Sequence, residues 1–418
     1  MEETRRRAPR DRAACERLDN EDPLAPVRSR FHVPEGVVYL DGNSLGALPV
    51  GVGDRVARAI ASEWGDGLVQ SWTSAGWIEL AARLGAMVAP LIGASPDEVL
   101  CCDSTSVNVF KLVGAAVAAR PARPVILTEH ANFPTDGYIA DGLAALEGRH
   151  EVRRVLRSQV EEALREDVAV LLLTHVDYTS GYVHDMRGLT AAARAAGVLT
   201  IWDLSHSTGA MPVDLGGCGV DMAVGCGYKY LNGGPGAPAY IYVARRLHGL
   251  LETPLRGWMG HVRPFAFDTV YEPAAQMRRF LVGTPPILAM VALEAALEAW
   301  AGVDMQAVRN KSTQLTETFI ALADARCAEF GVEVISPRPS RLRGSHVGLR
   351  HPHAYELIQA LRAAGVVGDF RPPDIMRFGF APLYNRFVDA WDAVDRLEEI
   401  LRDESWREPR HALRLSVT

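Results

Sequence analysis

The sequence predicts an α/β fold, with a large domain built on a mostly parallel sheet and a smaller α+β domain after it. The chain has 418 residues, more than the roughly 250–300 at which one hydrophobic core stops growing. Short apolar runs alternate with helical patterns, which indicates parallel strands joined by crossover helices. The run VAVLLLTH at 168–175 is almost entirely apolar, as in a central strand covered on both faces.

The elements are predicted in order along the chain. Residues 1–35 are charged and contain prolines, so we expect an arm that is partly ordered at most. The large domain is placed at 36–290 and the small domain at 291–418, and an apolar helical stretch at 287–300 joins them. The strands predicted for the large domain lie at 37–40, 98–102, 124–128, 168–174, 198–202, 222–225 and 239–243, with helices at 50–62, 107–119 and 188–196. The small domain is predicted to hold helices at 305–327, 353–363 and 385–402, and short strands within 330–350 and 364–370.

Composition excludes several classes of partner. Lys and Arg total 44 against 51 Asp and Glu, a formal charge of −7, which gives no general attraction to nucleic acids or anionic membranes. No apolar run approaches the roughly 18 residues of a membrane span. The six cysteines form no C-x-x-C pair or regular framework, as expected of reduced thiols. We therefore expect a cytoplasmic protein with neither a nucleic-acid nor a membrane partner.

Two residues at predicted strand ends carry the main chemical signal. Asp203 ends the strand VLTIWD, and Lys229 ends the run MAVGCGYK before a glycine-rich turn. Open α/β sheets bind ligands at this carboxyl edge. An acid that pairs with a pyridinium nitrogen and a lysine that binds an aldehyde are the parts of a pyridoxal phosphate (PLP) site. Either residue alone is more often an ordinary surface group, but their joint occurrence favours the cofactor site.

Other polar groups fall at the same predicted edge. Thr105 and Ser106 follow the strand EVLCC and open a helix, an arrangement that binds phosphate or simply caps the helix. Phe133 could stack on a flat ring or belong to the core. Thr174 closes the apolar strand at 168–174.

Other chemistries have weaker support. A metal hydrolase could use side chains at the same edge, but the sequence has no H-E-x-x-H motif. It has neither a G-x-S-x-G nucleophile elbow nor a phosphate-binding P-loop. The candidate metal ligands are His130, His175, Asp177, Asp203 and His206.

Taken in order, the motifs resemble those of kynureninase, a PLP-dependent family with the fold type I (aspartate aminotransferase) architecture. The resemblance covers nearly the whole chain. The blocks YKYLN, GW-x-GH and APLYN are more particular to this family than the Asp, His and Lys elements, which other fold type I families share. The blocks are LDGNSLG (40–46), WGDGLVQSW (64–72), STSVN (104–108), NFPTD (132–136), THVDYTSG (174–181), WDLSHSTGAMPVDL (202–215), GYKYLNGGPGAP (227–238), GWMGH (257–261), GTPPI (283–287) and MRFGFAPLYN (376–385).

The resemblance implies hydrolysis of L-kynurenine to anthranilate and L-alanine by a homodimer with shared active sites. Lys229 is expected to bind PLP covalently and to move the Cα proton, Tyr228 to transfer protons in the later steps, and Arg377 to bind the substrate α-carboxylate. Trp258 and Thr284 are expected to reach the partner subunit's phosphate. The cofactor-binding positions that the resemblance implies are Thr105, Ser106, Phe133, Asp136, Thr174, Asp203, His206, Tyr228, Lys229, Trp258 and Thr284.

Substrate preference is expected to depend on two positions. Animal members of the family, which favour 3-hydroxykynurenine, carry His and Asn where this chain has Trp64 and Thr284, so we expect a preference for kynurenine itself. Trp64 could equally pack at the substrate entrance without discriminating. The alternatives are a desulfurase, for which Cys327 is the only late cysteine, the metal hydrolase above, and an inactive relative that only binds.

Overall fold

A computed structural model describes residues 11–414 of the chain. Its helices are α1 (Arg12–Asn20), α2 (Val52–Arg58), α3 (Ser71–Ser74), α4 (Leu80–Val88), α5 (Thr105–Ala118), α6 (Pro134–Glu147), α7 (Met186–Ala195), α8 (Leu215–Cys218), α9 (Ile287–Leu297), α10 (Met305–Arg326), α11 (Ala354–Ala363) and α12 (Phe387–Arg402). Its strands are β1 (Phe31–His32), β2 (Val38–Tyr39), β3 (Leu48–Pro49), β4 (Val99–Cys101), β5 (Val125–Glu129), β6 (Glu151–Val155), β7 (Val168–Thr174), β8 (Leu199–Asp203), β9 (Met222–Gly225), β10 (Tyr240–Val243), β11 (Glu333–Val334), β12 (His346–Arg350), β13 (Val366–Val367), β14 (Asp369–Arg371) and β15 (Ile375–Gly379).

The main sheet has seven strands in the order β4-β10-β9-β8-β7-β5-β6. The strands from β9 to β6 are parallel, whereas β10 runs antiparallel to both β4 and β9. Every residue of β7 and β8 is buried, so both faces of these strands are covered. The predicted α/β fold with a large, mostly parallel sheet is confirmed.

The carboxyl ends of the parallel strands lie at a common edge of the main sheet. Thr174 at the end of β7 lies opposite Asp203 at the end of β8. The loop after β5 leads into α6, and the loop after β9 leads to Lys229. Residues that are far apart in the sequence therefore meet at the carboxyl edge of the sheet.

The smaller domain has a four-stranded antiparallel sheet, in the order β11-β12-β15-β14, together with α10 to α12. Phe319 of α10 lies 5.0 Å, between ring centroids, from Phe378 and 5.3 Å from Phe380. These rings belong to a second hydrophobic core, separate from that of the main sheet.

The start of the described chain packs on the smaller domain, which differs from the partly ordered arm that we expected. Cys15 of α1 lies in the second core. The carboxylate of Asp19 accepts hydrogen bonds from the backbone N–H groups of Phe387 at 2.6 Å and Val388 at 3.1 Å, so it caps α12. Strand β2 pairs in parallel with β13. Residues 1–10 of the arm lie outside the described residues, and the domain limits stay a prediction.

The sequence patterns did not predict strands β6 and β15. The sequence of β6, EVRRV, is partly exposed at the sheet edge, so it lacks the apolar run that reveals a buried strand. Strand β15 is fully buried although it contains Arg377.

In the part of the chain that the structure describes, no single helix is long and apolar enough to cross a membrane. Two segments, Leu68–Ser74 and Trp77–Ile92, reach that length and composition only together, and they are bent by 58°.

Candidate active site

Lys229 lies at the centre of the candidate site and is buried. Its Nζ is 3.2 Å from His206 Nε2 and 5.8 Å from the centroid of the Phe133 ring. Burial lowers the pKa of Lys229, although Cys226 and Asp203 oppose this shift. Burial and the neighbouring Lys229 hold the pKa of His206 well below its usual range. The site therefore favours a neutral amine, which is the nucleophilic form of lysine.

Two buried carboxyl groups accompany this amine. Asp203 accepts a hydrogen bond from the backbone N–H of Ser205 at 2.8 Å. Burial raises the pKa of Asp203, and burial together with the charge of Asp203 raises that of Asp136 well above its usual range. Asp136 follows Phe133 in the first turn of α6. Two carboxyl groups in one buried site favour a cationic or proton-donating ligand between them.

A cavity of about 360 Å³ lies at the start of α5, where Tyr228, the residue before Lys229, contributes to its lining. Thr105 and Ser106, in the first turn of α5, line it together with Tyr228 and Asp103. The first turn of a helix presents backbone N–H groups that have no partner within the helix. The cavity therefore has the donors and the position of a phosphate site.

The residues present fit PLP. The described residues give no hydrogen-bond partner to three buried side-chain oxygens of the site, which are Thr105 Oγ1, Asp136 Oδ2 and Thr174 Oγ1. Buried polar atoms normally have partners. PLP carries groups that match these oxygens chemically. Its anionic phosphate suits the cavity, and its flat ring, with a protonated nitrogen and a hydroxyl group, suits the position beside Lys229.

Arg377 is buried, and four of its five guanidinium N–H groups donate to partners in this chain. Its Nε donates to Asp369 Oδ1 at 2.9 Å, and its Nη2 donates to Ser44 Oγ at 2.9 Å and to the other carboxylate oxygen of Asp369. Its Nη1 donates to the carbonyl oxygen of Tyr178 at 2.6 Å. Burial opposes ionisation of Asp369, but Arg377 and Arg371 hold its pKa below the usual value.

Trp64, Trp258 and Thr284, three further predicted site residues, are not buried within one chain. Trp64 lies on a widened helical stretch, Ala59–Asp66, and its side chain is 56% exposed. Trp258 and the exposed Thr284 lie on adjacent segments, because the backbone N–H of Met259 donates to the carbonyl oxygen of Val282 at 3.2 Å.

Sequence reasoning missed several groups that the fold adds to the site. Asp369 and Ser44 bind Arg377, and His346 of β12 lies with its ring centroid 5.4 Å from that of His206. Asn132 accepts a hydrogen bond from the backbone N–H of Thr174 at 2.7 Å. Ser44 and Asn132 fall inside the quoted motifs, which could have identified them. A single histidine or aspartate on a short strand gives no such signal.

The structure does not support the metal alternative. Among residues 11–414, no three His, Cys, Asp or Glu side chains are grouped so that they could hold a metal ion. His130 is exposed, and Asp177 is bound to Arg157 at 3.2 Å. Cys327, required by the desulfurase alternative, is buried at the end of α10.

Comparison with known proteins identifies the family. Residues 308–397 match the family model described as the kynureninase C-terminal domain. A kynureninase of Burkholderia mallei (strain SAVP1) is 50% identical over 407 residues, which cover 96% of this chain and 98% of the relative. A kynureninase of Pseudomonas fluorescens is 50% identical over 410 residues, covering 97% and 99%. The chain belongs to the kynureninase family.

Solved structures share the fold of this kynureninase family member. The apo cysteine desulfurase of Thermococcus onnurineus NA1 matches with a TM-score of 0.76 at 18% identity, covering 90% of this chain and 98% of that one. A lysine-to-alanine variant of C-DES, with glycine covalently linked to its PLP cofactor, matches with a TM-score of 0.77 at 17% identity, covering 89% and 99%. At these identities the likeness shows the fold alone, and it is the fold type I architecture. Membership of the kynureninase family supports PLP as the cofactor, in agreement with the sequence prediction.

His175 gives the site a testable acid sensitivity. Its ring packs edge-on against Trp202 at 6.0 Å, and burial lowers its pKa from 6.5 to about 3. Between these values the unfolded chain binds a proton that the folded protein does not, so stability falls as pH decreases through this window. In the unaltered protein, His175 lowers the free energy of unfolding by up to about 1.4 kcal/mol for each unit by which the pH falls in this window. We expect His175→Phe to abolish this contribution.

The measurement is denaturant unfolding of both proteins, in the same cofactor state, from pH 7.5 to 4.5. The comparison at pH 7.5 gives the packing cost of the substitution itself. Parallel dependences of the two unfolding free energies on pH would contradict the expectation.

Proposed function

We propose that this protein hydrolyses L-kynurenine to anthranilate and L-alanine, using PLP bound to Lys229. The observation that carries the proposal is the buried amine of Lys229, 3.2 Å from His206 and close to the carboxyl group of Asp203. It occurs in a chain 50% identical to a kynureninase over 96% of its length. From its composition we also propose that the protein is located in the cytoplasm.

Bound PLP supplies an electron-withdrawing ring that stabilises negative charge on the substrate carbons next to the amine. Lys229 would hold the aldehyde and, as a free amine, would carry the proton of the substrate Cα. Its burial supports both roles, because a desolvated amine is more often neutral. Asp203 would keep a proton on the ring nitrogen, and Phe133 would pack against the ring face.

We propose the remaining cofactor contacts from the positions of the side chains around Lys229 and the cavity. Thr105 and Ser106 would hold the phosphate together with the backbone N–H groups of α5. Asp136, Thr174 and His206 would lie around the ring. The unpartnered oxygens of Thr105, Asp136 and Thr174 support this assignment.

Tyr228 is the proton donor that we propose for the later steps, in which water adds to the γ-carbonyl and the Cβ–Cγ bond breaks. Burial raises the pKa of its hydroxyl, so at neutral pH this hydroxyl stays protonated and can donate. Tyr228 lines the cavity, and its ring centroid lies 5.9 Å from Lys229 Nζ.

Arg377 is proposed to bind the substrate α-carboxylate. The four hydrogen bonds of its guanidinium within the chain leave one Nη1 N–H, which can donate a charge-assisted hydrogen bond to the carboxylate. Asp369 and the carbonyl group of Tyr178 hold the guanidinium in a fixed plane, which lowers the entropy cost of that binding.

A direct assay tests the proposal. Purified protein incubated with L-kynurenine should form anthranilate, followed by its fluorescence, and an equal amount of alanine. Lys229→Ala should abolish turnover, and Tyr228→Phe should reduce kcat by ~10²–10⁴-fold. Tyr138→Phe is the matched control, because Tyr138 is 68% exposed on α6. Borohydride reduction that labels a residue other than Lys229 would refute the assignment.

A homodimer with shared active sites is also proposed. Trp258 packs at 5.6 Å against Phe265 and at 6.4 Å against Phe267, and these two side chains are 62% and 73% exposed. Such a cluster of exposed aromatic side chains is typical of an interaction surface. It supports a partner subunit that covers Trp258 and Thr284.

Mixing inactive variants tests the shared site. If Trp258 acts on the partner's cofactor, Lys229→Ala and Trp258→Ala homodimers should both be impaired, and mixed dimers should regain activity at one intact site. Sedimentation should show a dimer for each protein. Mixed dimers without any recovery of activity would contradict the proposal.

Kynurenine is proposed as the preferred substrate over 3-hydroxykynurenine, with Trp64 and Thr284 as the determining residues. The double substitution Trp64→His and Thr284→Asn should shift the ratio of the kcat/KM values toward the 3-hydroxy compound. Initial rates with both substrates provide the measurement. A kcat/KM on 3-hydroxykynurenine that equals or exceeds that on kynurenine in the unaltered protein would overturn this preference.

A further inference from the structure

An acidic residue stands at the edge of the proposed phosphate cavity. Asp103 lines the cavity beside Ser104, Thr105 and Ser106, and its side chain is 32% exposed. Its backbone is fixed at a φ of 48°, with its carbonyl oxygen accepting from the N–H of Ala239 at 2.8 Å. A carboxylate next to a phosphate dianion weakens binding unless a cation compensates it.

That cation is Lys111, seven residues after the helix cap Ser104 on α5. Its side chain is completely buried. Its Nζ donates to the carboxylate of Asp103 and, at 2.6 Å, to the carbonyl oxygen of Phe280, and it lies 3.8 Å from Cys102 Sγ. A buried lysine is costly unless it is paired in this way.

The same lysine joins the loop of this chain's phosphate cavity to the segment that is proposed to reach the partner subunit's phosphate. Asp103 belongs to the loop that opens the phosphate cavity, whereas Phe280 ends a turn that leads through Val282 to Thr284. The carbonyl oxygen of Val282 binds the backbone N–H of Met259, next to Trp258. Lys111 therefore fixes the cavity loop to the segment that carries Thr284.

We propose that Lys111 is a positioning residue for cofactor binding: it neutralises Asp103 beside the phosphate and fixes the loop that holds the phosphate. This inference rests on the proposed placement of the PLP phosphate at Thr105 and Ser106. Lys111 acts through Asp103 and does not itself reach the cofactor, since its Nζ is buried beneath the loop.

The first test measures the dissociation constant of the cofactor. In Lys111→Met, which keeps the length of the side chain, we expect PLP to bind at least about tenfold more weakly. Pyridoxal, which lacks the phosphate, should bind with an unchanged constant. Both are measured by titration of protein freed of cofactor, and release of PLP from the holoenzyme on dilution gives a second readout. An unchanged PLP constant, or an equal loss for PLP and pyridoxal, overturns the proposal.

Charge compensation is tested by a double-mutant cycle. Asp103→Asn suits the same backbone conformation, since Asn tolerates a positive φ, and should bind PLP as tightly as the unaltered protein or more tightly. Asp103→Asn combined with Lys111→Met should restore the constant to within about threefold of the original. Weaker binding by Asp103→Asn, or no restoration in the double variant, overturns the proposal even if Lys111→Met fails to fold.

Two further variants separate the possible failures. Lys311→Met breaks a similarly buried pair, in which Lys311 Nζ lies 2.7 Å from Asp22, and should leave the PLP constant unchanged. A change as large as that in Lys111→Met overturns the specific role of Lys111. Thr105→Val combined with Ser106→Ala should weaken PLP but not pyridoxal. If it does not, the placement of the phosphate is wrong. If this double variant weakens PLP binding while Lys111→Met leaves the PLP constant unchanged, only the inference about Lys111 fails.

Discussion

The site depends on the burial of one amine and two carboxyl groups at the same sheet edge. Lys229, Asp203 and Asp136 are all removed from water, and burial shifts the pKa of each toward its neutral form. A folded chain keeps such groups only where other interactions stabilise them or where a ligand completes them. The aldehyde and the basic ring nitrogen of PLP would supply partners for the amine and for a carboxyl group, respectively.

The domains meet around a second set of charges. Arg377 comes from β15 of the smaller domain, Tyr178 from a loop of the main sheet, and Ser44 from the segment after β2. The guanidinium therefore joins three distant parts of the chain, and Asp369 holds it in one plane. Because β2 pairs with β13, a shift of the smaller domain would also move the segment that carries Ser44. Packing, and not only local structure, determines the geometry at Arg377.

Much of the fold was predictable from local patterns. Buried strands such as β7 and β9 give continuous apolar runs, so their predicted limits agree with the structure. Chain segments whose environment depends on distant partners were not predictable. Strand β6 is an exposed edge, β15 buries an arginine, and α1 packs against a helix from the other end of the chain.

The sequence by itself determined the chemistry: Asp203 and Lys229 at strand ends, the hydroxyl groups at the start of α5, and the motifs that resemble kynureninase. Each is a local signal, set by residue type and spacing. Only the tertiary structure decided which groups surround them. The contacts of Lys111 with Phe280, of Asp369 with Arg377, and of His346 with His206 join residues that no sequence period relates, because long-range packing alone brings them together.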